Sequence, residues 1–121
     1  MNYESFRTVE SKELAGVQLT VRRMSFSRRL ELMRKIRELA QRAEFLRAGE
    51  DPAEKMDGAL LRAEIDRIYV AWGVEAIEGL ELDGAAATPE TLVSAAPEAL
   101  FREALEAVKA ECGLTEAEIK N

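Results

Sequence analysis

The sequence predicts a mainly α fold with a minor β component: a helical bundle built on an antiparallel αα-hairpin, with a short N-terminal strand and a small β-hairpin. Three observations lead to this fold class. Ala, Glu, Leu and Arg are abundant among the 121 residues, whereas Gly (7) and Pro (3) are few, and this composition favours helices. Apolar residues recur at spacings of three and four along two long stretches, as on one face of an amphipathic helix. Apolar and polar residues alternate in only one short stretch, which limits the expected β structure.

The N-terminal part of the chain predicts one strand. Residues 1–16 are polar and weakly patterned, and they lead into a predicted strand at residues 17–24. Apolar residues alternate there with polar neighbours, the pattern of a strand buried on one face. These residues are Val17, Leu19 and Val21. A single strand leaves its edges unpaired, so it needs a partner, which is residues 3–9, the β-hairpin further along or another chain.

Two long helices are predicted at residues 27–48 and 52–72. Gly49 ends the first helix, and Asp51 followed by Pro52 begins the second as a capping residue and a favoured first residue. Because the turn is short, the helices should form an antiparallel αα-hairpin whose apolar stripes face each other or a third element. The stripes are Leu32, Ile36, Leu39, Ala43 and Leu46, widened by Leu30 and Met33, and then Leu61, Ile65, Ile68 and Trp72.

The pattern changes after the second helix. The pair Asp83-Gly84 predicts a β-hairpin at residues 77–87, since this pair is a strong signal for a tight hairpin turn. Helix starts at Pro89 and Pro97 predict C-terminal helices within residues 89–112, and residues 114–121 form a tail. The whole chain is the length of one domain and can hold a core without a disulfide or a metal.

The residue types present argue against catalysis. The chain has no His, which removes the commonest general base and the commonest zinc ligand. The glycines do not form a phosphate-binding loop of either common spacing. We therefore predict that the protein is not an enzyme, with no catalytic residue, no metal and no cofactor.

Cysteine content and hydropathy indicate the cellular compartment in which the protein is expected. Cys112 is the only cysteine, so an intramolecular disulfide cannot form and a reducing compartment is expected. The chain has no run of 18 apolar residues and does not begin with the basic and then apolar layout of a signal peptide. A cytoplasmic protein without a membrane segment is predicted.

Charge is distributed unevenly along the sequence. Residues 22–47 hold nine of the 17 basic residues and three acidic ones, a net +6, whereas the rest of the chain carries a net −12. The basic residues could bind nucleic-acid phosphates, pair with acidic helices of the same fold, or meet an acidic partner or a second copy. The overall charge of −6 disfavours free nucleic acid.

A candidate partner-binding surface follows from the basic helix and from two aromatic residues. Tyr69 and Trp72 end the second long helix and could anchor an interface, although they could equally close the core against the β-hairpin. The candidate residues are Arg28, Arg29, Arg34, Arg37, Leu32, Ile36, Leu39, Tyr69 and Trp72.

The order of features resembles that of the small tail assembly chaperones of long-tailed phages, members of which also occur in prophages. The resemblance covers most of the chain. Its features are a strand ending in Val21-Arg22-Arg23-Met24-Ser25-Phe26, a basic helix, a second helix ending in Trp72-Gly73, the segment from Ile77 to Gly84, and Pro97-Glu98 at the start of the last helix.

The resemblance implies a non-structural protein of the bacterial host cytoplasm that binds the tape measure protein and helps to recruit tail tube subunits, often as an oligomer. Amphipathic stripes flanked by charges are compatible with holding a long helical partner. The alternative hypothesis is a DNA-associated regulatory or packaging protein that uses the basic helix from Arg28 to Arg47.

Overall fold

The computed structural model describes residues 1–113 and shows a mainly α protein with a small antiparallel sheet, the predicted fold class. The predicted tail, residues 114–121, lies outside the described residues. The elements are β1 (Phe6–Glu10), β2 (Gln18–Arg22), α1 (Phe26–Ala48), α2 (Pro52–Gly73), β3 (Val74–Glu78), β4 (Glu81–Leu82), β5 (Ala85–Ala86), α3 (Pro89–Ser94) and α4 (Glu98–Glu111).

The predicted strand at residues 17–24 is represented by β2, which is the central strand of a three-stranded antiparallel sheet in the order β1-β2-β3. Its partners are β1, which overlaps the proposed residues 3–9, and β3, which follows α2 directly. Leu19 pairs with Val9 on one side and with Ile77 on the other. The weakly patterned segment therefore contains a strand, β1, which pairs with the next strand along the chain.

The predicted β-hairpin at residues 77–87 needs correction. Only β4 and β5 form it, around a turn in which Asp83 and Gly84 both have positive φ, as the Asp-Gly signal requires. Val74–Glu78 instead pairs with β2. The physical reason is burial, because Ile77, the first residue of the predicted hairpin, pairs with Leu19 of β2 and packs against the core there.

The helix starts follow the local chemistry of the sequence. The Ser25 side chain accepts a hydrogen bond from the Arg28 N–H and caps α1. Asp51 caps α2 by accepting from the Ala53 N–H, with Pro52 in the first helical position. The observed helices span residues 26–48 and 52–73, compared with 27–48 and 52–72 in the prediction.

One hydrophobic core lies between the sheet, α3, α4 and the adjoining ends of α1 and α2. Its largest fully buried side chains are Leu19, Val21, Val70, Val74, Leu92, Leu100 and Val108. Gly73 allows α2 to pass directly over α4, since a Cβ added at this position would collide with Val108. Lys109 is buried and forms an ion pair with Asp66 at 3.3 Å, so this charge is compensated within the fold.

In the part of the hairpin that is farthest from the sheet, α1 and α2 contact mainly each other. α1 packs mainly against α2, and residues 39–61 contribute no side chain to the core cluster. The buried residues in this distal part are Ala43 and Gly58. The helices approach closely there, because a Cβ on Gly58 would lie 3.3 Å from Leu46 Cβ. The outer faces of the hairpin are therefore left without a covering element in the described chain.

Candidate partner-binding surface

The apolar part of the predicted site lies mostly inside the protein. Leu32 and Trp72 are only 4% and 8% exposed and belong to the core cluster. Ile36 and Tyr69 are partly buried against the same cluster, and Leu39 is half-buried. Trp72 thus occupies the position of a core residue. Because Leu32 and Trp72 are buried, they are not placed to make the predicted contact with a partner.

Arg28 is held by the protein itself. Its Nη1 donates to the carbonyl oxygens of Ser5 at 2.6 Å and Arg23 at 2.9 Å. The guanidinium also lies 4.8 Å from the centroid of the Phe6 ring, within the range of a cation–π interaction. Arg28 therefore attaches the start of α1 to the N-terminal segment and β1, and it is only partly accessible.

Arg29, Arg34 and Arg37 are exposed on α1. Within residues 1–113, the only ion pair formed by an α1 side chain joins Arg47 to Glu44, at 3.5 Å and within the same helix. The other ion pairs of the described chain involve Arg7, Arg22, Arg67, Arg102 and Lys109. Pairing of the basic helix with acidic helices of the same fold is thus not observed in this part of the chain.

α1 carries a series of exposed apolar residues, whose exposure the sequence pattern does not predict. Phe26 and Met33 are 79% and 54% exposed, and Leu30 is also exposed. The spacing of 4 and 3 continues to Arg37, so these four side chains share one side of the helix. We call Phe26, Leu30, Met33, Arg34 and Arg37 the α1 edge. Leu30 and Met33 widen the predicted stripe of Leu32 to Leu46, but in the structure they are exposed beside it.

α2 carries a second apolar series on its own outer side. Met56 and Leu60 are 62% and 61% exposed. At about 100° per residue, they lie nearly opposite Gly58, which faces α1. Ala53 and Ala63 extend the series at spacings of 3, 4 and 3, and both are exposed. We call Ala53, Met56, Leu60 and Ala63 the α2 edge. The signal was present in the sequence as a second periodic series beside the stripe of Leu61 to Trp72.

The α2 edge is bordered by acidic residues. Asp57 is exposed, and the Glu64 side chain is 46% exposed. Glu64 has one ion pair, to Arg67 at 3.6 Å, in which both side chains are largely in solvent. Such exposed pairs contribute little to stability. The α1 edge is therefore basic. The α2 edge is bordered by these two carboxylates and by the exposed Arg67, which lies at the next position of its series.

Depressions in the described surface lie mainly along α1. Three of them have volumes of about 400, 460 and 490 Å³. The second lies between Arg22, Lys35 and Trp72, where α1 and α2 meet the end of β2. No three Cys, Asp or Glu side chains within residues 1–113 are grouped so as to hold a metal ion. Among the helices of the same residues, none has the length and the apolar character needed to cross a lipid bilayer.

Cys112 and Tyr69 are polar residues near the start of α1, and burial raises the pKa of both side chains. Burial raises the pKa of the Cys112 thiol, and the nearby positive charge of Arg29 opposes this only in part. Burial also raises the pKa of the Tyr69 hydroxyl. Both groups are therefore held in their neutral forms at neutral pH, in which a thiol is a poor nucleophile.

Comparison with known proteins gives no relative: no family model, no curated protein and no solved structure matches this chain. The resemblance to tail assembly chaperones stays a prediction from the order of features in the sequence.

Proposed function

We propose that this protein is a non-enzymatic assembly chaperone that binds other proteins through the outer faces of the α1–α2 hairpin. Within the resemblance noted from sequence, its client is the tape measure protein of a long-tailed phage or prophage, and its role is to assist tail tube assembly in the host cytoplasm. One observation carries the proposal. Eight large apolar residues of residues 1–113 are exposed, and six of them lie on α1 or α2.

The physical argument is that exposed apolar side chains on rigid helices are suited to reversible protein binding. Full burial of one such side chain contributes about 1.5–3 kcal/mol, and part of this gain is lost to the cost of association. A long helical client could lie along the hairpin, placing its own apolar residues against Phe26, Leu30 and Met33. The exposed Arg34 and Arg37 would then favour acidic residues in the client.

Co-purification with a client tests the proposal. The protein is co-expressed with a tagged helical segment of tape measure type, and the retained amount is measured. We expect retention that falls at least tenfold in the double variant Leu30→Gln and Met33→Gln, an effect of about 1.4 kcal/mol or more. Arg42→Gln serves as the control, since Arg42 is exposed on α1 but lies outside the α1 edge. No retention of any such segment by the parent protein would contradict the proposal.

A DNA-associated regulatory or packaging role is the second candidate. It is supported by the net +4 of α1, which has seven basic and three acidic residues. Two observations weaken it, since Arg28 already binds backbone carbonyls and the overall charge is −6. Retention on duplex DNA that falls with salt, and that is lost when Arg28, Arg29, Arg34 and Arg37 become Glu, would favour this candidate.

A further inference from the structure

We propose that β1 is a docking site for an extended basic segment of another protein, which adds to the sheet as a fourth strand antiparallel to β1. The inference goes beyond the proposed function, because this surface belongs to the sheet and α4 and not to the outer faces of the hairpin. We call it the β1 edge. Its residues are Phe6, Thr8, Glu10, Glu103, Glu106 and Ala110.

The pairing of β1 with β2 leaves every second residue of β1 without a backbone partner in the described chain. Two hydrogen bonds bound the ladder, one from the Arg23 N–H to the Ser5 carbonyl at 3.0 Å and one from the Ser11 N–H to the Val17 carbonyl at 2.8 Å. Both fit the register of the strands. Because bonds in an antiparallel pair recur at every second residue, only the odd-numbered residues of β1 bond β2. The backbone N–H and C=O groups that point outward belong to Phe6, Thr8 and Glu10.

The outer side of β1 has no covering element within residues 1–113. β1 packs mainly against β2, whereas β3, at the opposite side of the sheet, also packs against α3. β1 contains no Pro and pairs with β2 without a bulge, although Pro and bulges are common devices that keep an edge strand from pairing. The charged residue on its core face, Arg7, is neutralised by Glu111 at 3.1 Å. The strand therefore keeps its capacity to accept a further strand.

α4 supports the site from below. Glu103 and Glu111, two turns apart on α4, bond to the two ends of β1, and the Ser11 hydroxyl donates to Glu103 at 2.6 Å. Glu106 and Ala110 are exposed on the Glu103 side of α4, farther from the core. A strand added to β1 would lie over these two residues. Since β1 is already held in place, binding requires little ordering of the protein.

Charge selects a basic partner. Glu10 and Glu106 are exposed, and neither forms an ion pair within residues 1–113. Residues 74–113, which include α4, carry a net −7. An antiparallel strand with Lys or Arg on its solvent side would place a cation opposite Glu10. Apolar residues on its other side would extend the half-buried layer that ends at Val9.

Peptide binding to matched variants tests the inference. The probe is a labelled peptide of about ten residues in which Lys and Val alternate, and its dissociation constant is measured by fluorescence anisotropy. Thr8→Pro removes an outward N–H without breaking a bond to β2, since Pro is accepted on an edge strand. Thr8→Val is the control that keeps this N–H. The control should bind like the parent, and Thr8→Pro should bind about tenfold more weakly. Circular dichroism verifies that each variant is folded.

Two methylated forms of the peptide separate backbone pairing from charge attraction, and they need no protein variant. With its valines toward α4, an antiparallel peptide turns the backbone N–H groups of its lysines toward β1. Methylation of the lysine backbone nitrogens should therefore weaken binding about tenfold. Methylation of the valine nitrogens keeps the same charge and composition and should leave binding unchanged.

Hydrogen exchange locates the contact. The peptide should slow exchange of the outward amides of Phe6, Thr8 and Glu10, whereas those of Arg7 and Val9 are already bonded to β2 in the free protein. No binding by the parent, equal binding of the two methylated peptides, or slowed exchange only elsewhere would overturn the inference.

Two further observations separate this inference from its alternatives. Slower exchange of the same three amides as the protein concentration rises, without peptide, would overturn it and assign the β1 edge to a second copy. The double variant Leu30→Gln and Met33→Gln should bind the peptide like the parent, because it leaves the β1 edge intact. Failure here is therefore distinguishable from failure of the proposed function.

Discussion

Arg28 illustrates how neighbouring residues of the same type can have different roles. One of its nitrogens donates to two backbone carbonyls, whereas Arg29 next to it is exposed. In the sequence both belong to the same basic run, and both were predicted to bind a partner. The helix periodicity turns them to different sides of α1, and only the fold brings the carbonyls of Ser5 and Arg23 to one of them.

Replacing Arg28 should therefore lower stability. Arg28→Ala removes hydrogen bonds from a charged donor to two carbonyl oxygens, so we expect the free energy of unfolding to fall by about 1–3 kcal/mol. Arg29→Ala is the matched control and should change it by less than about 0.5 kcal/mol. Urea unfolding followed by circular dichroism measures both. Equal effects of the two substitutions would show that the Arg28 contacts do not hold the N-terminal segment.

Cys112 gives a prediction of pH dependence. Burial raises the pKa of its thiol above the ordinary value of 9.0, so the unfolded chain loses the thiol proton at a lower pH than the folded protein. Well below pH 9 both states are protonated and stability is unaffected by this group; as the pH rises through this range, the unfolded state loses the thiol proton first and stability falls. Cys112→Ala should lose less stability between about pH 8.5 and pH 10 than the parent does. An identical decline in both proteins would assign it to other groups, such as Tyr69.

The hairpin shows what can be inferred about an element from sequence. Periodicity and the chemistry of Gly49, Asp51 and Pro52 are local signals, and the observed α1 and α2 begin and end within one residue of the expected bounds. The strands β1 and β3 depend on pairing with β2. Such pairing joins residues more than fifty positions apart in the case of Leu19 and Ile77, and no local pattern records it.

The candidate surface was only partly predictable for a related reason. The sequence contains two apolar series on each long helix, and a single chain gives no rule for which series is buried. The stripe through Leu32 and Ile36 was expected to serve a partner, yet it packs on α2 and the core. Leu30 and Met33 belong to the same predicted stripe and are exposed. Burial is decided by what α1 packs against, which is a property of the assembled elements.

We expect the distal part of the hairpin, residues 40–62, to open locally while the core stays folded. Gly58 lies against Ala43, Leu46 and Arg47, and residues 39–61 add no side chain to the core cluster. Gly58→Leu should push the helices apart there and increase amide hydrogen exchange about tenfold or more in residues 40–62, while exchange in α4 stays unchanged. Ala59→Leu is the control, because Ala59 is exposed beside Gly58. Faster exchange throughout the protein would instead mean that the hairpin and the core unfold together.

At the scale of the whole molecule, charge is separated along the chain. Residues 22–47 carry nine basic and three acidic residues, a net +6, and residues 74–113 carry two basic and nine acidic residues, a net −7. Two molecules of net charge −6 repel each other at long range. A partner that contacts the α1 edge, by contrast, meets a locally positive surface formed by Arg34 and Arg37.

Salt distinguishes the local attraction from the general repulsion. If an acidic helical client binds the α1 edge, raising the salt from about 0.05 M to about 0.5 M should screen the contacts of Arg34 and Arg37 with its carboxylates and weaken retention of the client roughly tenfold. The double variant Arg34→Gln and Arg37→Gln should retain less client than the parent at low salt and the same amount at high salt, as measured by co-purification. If salt instead strengthens retention by the parent, the net negative charge of the protein outweighs the contacts of the two arginines, and the client binds through apolar surface alone.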